Sequence, residues 1–146
     1  MKIAIASDHG GFDLKDIIVE YLKEKGYEVT DYGISENKRV DYPDYAALVA
    51  DGISKGKEEL GILICGTGLG MSIAANKISG IRAACVSDSF SAKMAREHNN
   101  ANILCFGGRV VGDEVAKTLV DAFLEAEFAE GRHSTRVDKI MSFEKE

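Results

Sequence analysis

Cys65 closes an apolar run, Ile62-Leu63-Ile64-Cys65, and is followed at once by Gly66-Thr67-Gly68-Leu69-Gly70 and then by Met71-Ser72-Ile73-Ala74-Ala75-Asn76-Lys77. This order predicts a buried strand, a thiol at its carboxyl end, a glycine-rich turn and a helix start. Backbone N–H groups at such a turn point outward without partners, and the helix dipole adds partial positive charge. A sulfur placed there is stabilised as a thiolate. The chemistry implied is that of a nucleophile or base beside a ready-made anion hole. The turn lacks the GK[ST] ending of a phosphate-binding P-loop. It also misses the dinucleotide spacing by one residue and follows the third strand rather than the first. A plain strand-to-helix turn needs about one glycine, not three.

Other residues of chemical interest stand at similar punctuation points. Asp8-His9-Gly10-Gly11 ends the first apolar run, where paired glycines allow close backbone approach of a ligand. Taken alone, His9 is either a turn residue or a ligand contact. His98-Asn99-Asn100-Ala101-Asn102 lies between a predicted helix and a predicted strand, a place that also suits a helix C-terminal cap. Tyr42 before Pro43 is either packing or pocket wall. Arg109 directly follows Gly107-Gly108. Arg132 and Arg136 are four apart, so on a helix they share a face and can clamp one phosphate, or else form an ordinary solvated face like Arg39 and Arg96.

Composition limits what these residues can serve. The chain has 146 residues, enough for one domain (1–146) with a genuine core, and 45% of them are hydrophobic. A net charge of −6 disfavours nucleic acid as a partner. No apolar run approaches the roughly 20 residues of a membrane helix, and Met1–Ser7 is too short in its apolar part for a secretory signal. A cytoplasmic location is expected. Cys65, Cys85 and Cys105 form no CxxC pair, which supports neither a disulfide framework nor a zinc site. Cys85 and Cys105 read as small buried hydrophobes.

The elements needed to position the candidates follow from the hydrophobic pattern. Strands are predicted at Lys2–Ala6, Tyr27–Tyr32, Leu60–Cys65, Ile81–Val86 and Asn102–Phe106. Between them come a helix marked by Leu14, Ile17, Ile18, Tyr21 and Leu22, one after Pro43, a short one over Gly68–Lys77, one over Ser89–Glu97, and one marked by Val115, Leu119, Val120, Phe123 and Leu124. A last helix is predicted over Arg136–Phe143. Alternation of this kind predicts an α/β fold: a three-layer α/β/α Rossmann-like sandwich with five parallel strands, in an order such as 2-1-3-4-5. Ligands bind outside the carboxyl ends of such strands, where Ser7–Gly11, Cys65–Gly70, Asp88 and Gly107–Arg109 fall.

With these motifs in order, the chain resembles the type B ribose-5-phosphate isomerases and their relatives, the galactose-6-phosphate isomerase subunits. The likeness runs from Ile3–Gly11 through Val40–Ala46, Gly61–Lys77, Ala95–Asn102 and Gly107–Arg109 to Gly131-Arg132-His133. It implies an aldose–ketose isomerase of the pentose phosphate pathway that interconverts ribose 5-phosphate and ribulose 5-phosphate without metal or cofactor. By this resemblance Cys65 moves the proton between C1 and C2, and Thr67 with the N–H groups of Gly66, Gly68, Leu69 and Gly70 holds the enediolate. His98, with Asp8, opens the furanose ring, while Asn99 and Asp8 contact sugar hydroxyls. His9, Arg109, Arg132 and Arg136 gather the phosphate, and Tyr42 lines the pocket. Family members are homodimers or tetramers with each site built from two chains. Some use a glutamate just after the glycine turn as base; Met71 stands there in this chain, which places it in the cysteine subtype.

Two other classes compete on residues alone. A flavodoxin-like binding domain for a nucleotide or phosphosugar explains the glycine turn and the arginines but gives Cys65 no work. A nicotinamide enzyme would use Asp88, about 20 residues past the glycines, as its ribose-binding acid, yet the chain is too short for a substrate domain.

Overall fold

The computed structural model describes residues 1–144. Five strands, β1 (Lys2–Ser7), β2 (Glu28–Asp31), β3 (Leu60–Cys65), β4 (Ala83–Cys85) and β5 (Ile103–Gly107), form one parallel sheet in the order β2-β1-β3-β5-β4. Six α-helices accompany them: α1 (Phe12–Glu24), α2 (Tyr42–Ser54), α3 (Leu69–Ala75), α4 (Ser89–Glu97), α5 (Asp113–Glu125) and α6 (Arg132–Met141). The central strands are buried on both faces, and their side chains divide with a period of two. Ile3, Ile5, Ile62, Ile64, Leu104 and Phe106 pack with α1, α4 and α5; Ala4, Ala6, Leu63, Cys65, Ile103 and Cys105 pack with α2 and α3.

The order of the last two strands differs from the expected 2-1-3-4-5. β5 is buried along its whole length and lies between two neighbours, whereas the three residues of β4 are only half buried and lie at the edge. The fully apolar strand gains most from the interior. The open edge of β4 is closed by a side chain, because the Asn76 amide accepts from the N–H of Ala83 at 2.7 Å and donates to its carbonyl at 2.9 Å. This blunts an edge otherwise free to pair with another strand.

The direction in which strands are added to the sheet reverses between β1 and β3: β2 lies on one side of β1, and all later strands lie on the other. In open parallel sheets that switch point is where a crevice opens outside the carboxyl ends. Asp8 follows one of these two strands and Cys65 ends the other. Near this point α1 is anchored by Lys15, which is only 1% exposed and donates to both carboxylate oxygens of Asp31 at 2.9 and 2.7 Å. Asp31 also takes the N–H of Gly33, whose carbonyl accepts from Ser7 beside Asp8.

α6 begins four residues earlier than predicted, so Arg132 and Arg136 share one helix. The start was hidden because Gly131, at φ 59°, enters it without any side-chain cap. Among the described residues no helix is long and apolar enough to cross a membrane.

Candidate active site

Three turns, those after β1, β3 and β5, meet at the switch point, and their closeness explains the glycines. A Cβ on Gly10 would lie 2.9 Å from the backbone nitrogen of Gly66, and one on Gly107 would lie 2.6 Å from the Gly66 carbonyl oxygen. The β3 and β5 turns are laced together by Gly108 N–H to Cys65 O at 2.8 Å and Arg109 N–H to Gly66 O at 3.0 Å. Asp8 is buried and its Oδ1 accepts the Gly10 N–H at 2.8 Å.

Cys65 lies at the centre of this arrangement. It is buried, and its Sγ accepts the N–H of Gly68 at 3.1 Å. Gly68 reaches that position at φ 84°, a left-handed conformation that side-chain-bearing residues avoid. Thr67 Oγ1 accepts from Leu69 N–H at 3.2 Å, and the thiol of Cys85 lies 3.6 Å from the Thr67 carbonyl oxygen. Tyr42, at the start of α2, lies over Gly70 so closely that a Cβ there would run into its ring. Arg109 lies against Gly66, with Nη1 3.2 Å from where a Cβ would be. Val40 N–H points at His9 Nδ1 from 3.5 Å, which brings the loop before α2 against the β1 turn. Met71 is fully buried and apolar, so the residue just after the turn offers no base.

The structure therefore brings together Asp8, His9, Tyr42, Cys65, Gly66, Thr67, Gly68, Leu69, Gly70 and Arg109. It does not bring His98, Asn99, Arg132 and Arg136 to them within one chain. His98 caps the C-terminus of α4 and the segment after it leads into the amino end of β5. Five residues of strand, roughly 17 Å at about 3.3 Å each, separate that end from Gly107, which pairs with Cys65. α6 lies on the same side as His98, since Ala129 N–H donates to Glu97 O at 2.9 Å and Arg82, just before β4, reaches Met141 Sδ at 3.3 Å. Asn99 lines a cavity of about 640 Å³ there, together with Arg82, Ile81, Met141 and Phe143.

His133 is a member of this second group that residue spacing did not single out. It stacks on His98, and Arg132 and Arg136 lie close enough to bear on its charge. Its position between two arginines on one helix was the available signal. Among the described residues every ion pair is made by a lysine and none by an arginine. Arg109, Arg132 and Arg136 thus keep their donors for another anion. Asp88 is a helix cap, its carboxylate held below the usual range by the Ser91 N–H at 2.7 Å. Among the described residues no group of three or more His, Cys, Asp or Glu side chains is arranged to hold a metal ion.

Comparison with known proteins agrees with this fold. Residues 3–140 match the family model described as Ribose/Galactose Isomerase. Ribose-5-phosphate isomerase B of Escherichia coli strain K12 is 52% identical over 98% of this chain and 96% of its own length. The structure of Clostridium thermocellum ribose-5-phosphate isomerase B superposes with a TM-score of 0.96 at 56% identity, covering 97% of this chain and 96% of that one. That of the Mycoplasma genitalium ribose-5-phosphate isomerase B with bound ribulose-5-phosphate also gives 0.96, at 50% identity over 99% of this chain and 97% of that one. The chain belongs to the ribose/galactose isomerase family.

Proposed function

We infer that this chain is an isomerase that interconverts ribose 5-phosphate and ribulose 5-phosphate through an enediolate, with Cys65 as the base. A proton beside a carbonyl is a weak acid, so its removal needs a base of suitable basicity and donors for the developing oxyanion. The Cys65 thiolate takes the proton from C2 of the open-chain aldose, and the electron pair moves onto O1. A proton passes from O2 to O1, and the same thiol returns its own proton to C1, leaving the ketone at C2 and a hydroxyl on C1. Thr67 and the N–H groups of the Gly66–Gly70 turn stabilise the charge on O1 and O2. The observation that carries this reading is the Gly68 N–H on Cys65 Sγ inside a turn that excludes side chains.

The second group supplies what the first lacks. His98 is proposed to open the furanose ring, Asn99 to hold sugar hydroxyls, and Arg132 and Arg136 with His9 and Arg109 to hold the phosphate. Because the two groups lie at opposite ends of one sheet, a complete site needs two copies, with the His98 end of one chain meeting the Cys65 end of its partner. Leu69, Ile73 and Phe90, which are 57%, 63% and 71% exposed near the Cys65 end, supply apolar surface for such contact. The proposed assembly is a homodimer or dimer of dimers acting in the cytoplasm, where free thiols such as these three persist.

The test is turnover of ribose 5-phosphate followed in heavy water, with allose 6-phosphate and galactose 6-phosphate as competitors. Formation of ribulose 5-phosphate with some solvent deuterium at the transferred position is the expected result. A folded preparation that binds the sugar phosphates without converting any of them defeats the reading.

A further inference from the structure

Cys85 does more than fill space. Register explains where it lies: Cys85 pairs with Cys105, which pairs with Leu63, two residues before Cys65. With side chains alternating along each strand, all three cysteines lie on the face covered by α2 and α3. Cys105 is wholly buried in the middle of that face. Cys85 ends β4, half exposed, beside the turn that carries the oxyanion donors.

The contact it makes there is with the opposite end of the peptide that serves Cys65. The Cys85 thiol donates to the Thr67 carbonyl at 3.6 Å, while the N–H of the same Thr67–Gly68 peptide donates to Cys65 Sγ at 3.1 Å. Among the described residues no backbone N–H reaches that carbonyl. A trans peptide is planar with its C=O and N–H pointing in opposite directions, so fixing one end fixes the other. Rotation of this unit is the soft motion of the turn, because Gly68 tolerates either sign of φ. Donation to the carbonyl also polarises the amide and strengthens the bond its N–H makes.

We propose that Cys85 is a positioning residue for the Cys65 base, holding the Thr67–Gly68 peptide so that its N–H stays aimed at the reactive sulfur. The proposal rests on the reading of Cys65 as base and extends it by one residue. Burial and the neighbouring Cys65 push the Cys85 thiol up, which keeps it protonated and therefore a donor. The other charged or titratable groups around the turn are Cys105 on β5, Arg109 after it, Asp8 and His9 after β1, and Tyr42 on α2, whose ring lies over Gly70. Among the described residues none of these donates a hydrogen bond to the Thr67 carbonyl.

The experiment measures the rate at which iodoacetamide modifies Cys65 as a function of pH, with the Cys65 peptide quantified by mass spectrometry. Wild type is compared with Cys85→Ala, Cys85→Val and Cys85→Ser, each checked for fold by circular dichroism. Loss of the donor in the Ala and Val variants should move the midpoint for Cys65 up by about one pH unit, a tenfold loss of reactivity at neutral pH, as expected for weakening one charge-assisted hydrogen bond. Serine, which retains a donor, should recover at least half of the shift. The Gly68 amide proton resonance should move in the Ala variant and return toward its original position in the Ser variant. An unchanged midpoint in Ala and Val, or equal shifts in Ala and Ser, overturns the proposal. Because alkylation reads Cys65 without any turnover, failure here is distinct from failure of the base assignment, which Cys65→Ala kinetics decide.

Discussion

The imidazole of His98 lies flat against that of His133, with ring centroids 4.2 Å apart and planes within 9° of parallel. Burial, then His98, Arg132 and Arg136, hold His133 below the ordinary histidine range, so its neutral form is favoured in the native chain. The sign follows from linkage: where the unfolded chain binds more protons, stability falls as pH falls. Acidification through about pH 6.5, the unfolded value, should therefore lower the melting temperature, and His133→Gln should flatten that slope. Equal slopes from pH 8 to 5 in both proteins would remove His133 from the account.

Arg132 and Arg136 have no acidic partner among the described residues and are placed on one face of α6. If they hold phosphate, replacing either with Ala should raise KM for ribose 5-phosphate roughly 10- to 100-fold, the value of one charge-assisted contact. Unphosphorylated ribose should be affected far less. Equal losses on both substrates would assign these arginines to structure instead.

The separation of Cys65 from the His98 end of the same chain leads to a complementation test. Arg132→Ala and Cys65→Ala proteins, each nearly inactive, should regain activity when their subunits are exchanged. Random pairing makes half the dimers hybrids with one intact site of two, so about a quarter of wild-type activity is expected. No recovery after demonstrated exchange would place both residues in a site built from one chain.

Where local forces decide the pattern in the chain, it is readable in the sequence. Leu60–Cys65 and Ser89–Glu97 fall at the expected bounds, because an unbroken apolar run and an Asp88 cap each specify their own ends. The neighbour of β3 was not readable, since β4 and β5 both look like apolar strands and only their relative burial puts β5 inside. The position of His98 was implicit in its place just before a strand, which in a parallel sheet means the end remote from Cys65. Cys85 reads in sequence as a small buried hydrophobe because a thiol bonded to a carbonyl and a thiol packed as a hydrophobe look alike there; only the β4–β5 register separates them.

Gly68 is the turn residue whose replacement should be most informative. At φ 84°, an added Cβ would lie 2.8 Å from the Cα and carbonyl carbon of Phe106, backbone atoms that cannot step aside. Gly68→Ala should cost about 2–3 kcal/mol of stability, from the left-handed backbone plus the clash, and should lower kcat by displacing the N–H on Cys65. Denaturant unfolding and steady-state kinetics on the folded fraction separate the two effects. A variant with wild-type stability would mean that the turn adapts, contrary to its packing against β5.

Cys65 itself is the strictest test. Cys65→Ala removes a small buried side chain beside a turn held by Gly108 N–H on the Cys65 carbonyl, a bond the substitution leaves in place. The variant should fold and bind ribose 5-phosphate near wild-type affinity. Turnover should fall by several orders of magnitude in kcat, because the thiolate acts on a proton in flight rather than on the bound sugar. Iodoacetamide should inactivate the wild type, and ribose 5-phosphate should protect it. Cys105→Ala should lower stability through the cavity it leaves, with little effect on chemistry. Near-normal kcat in a verified Cys65→Ala preparation would return the search for the base to the other titratable groups. Asp8, buried across the switch point with its carboxylate bonded to Gly10, would then be first, since His98 lies at the far end of the same sheet.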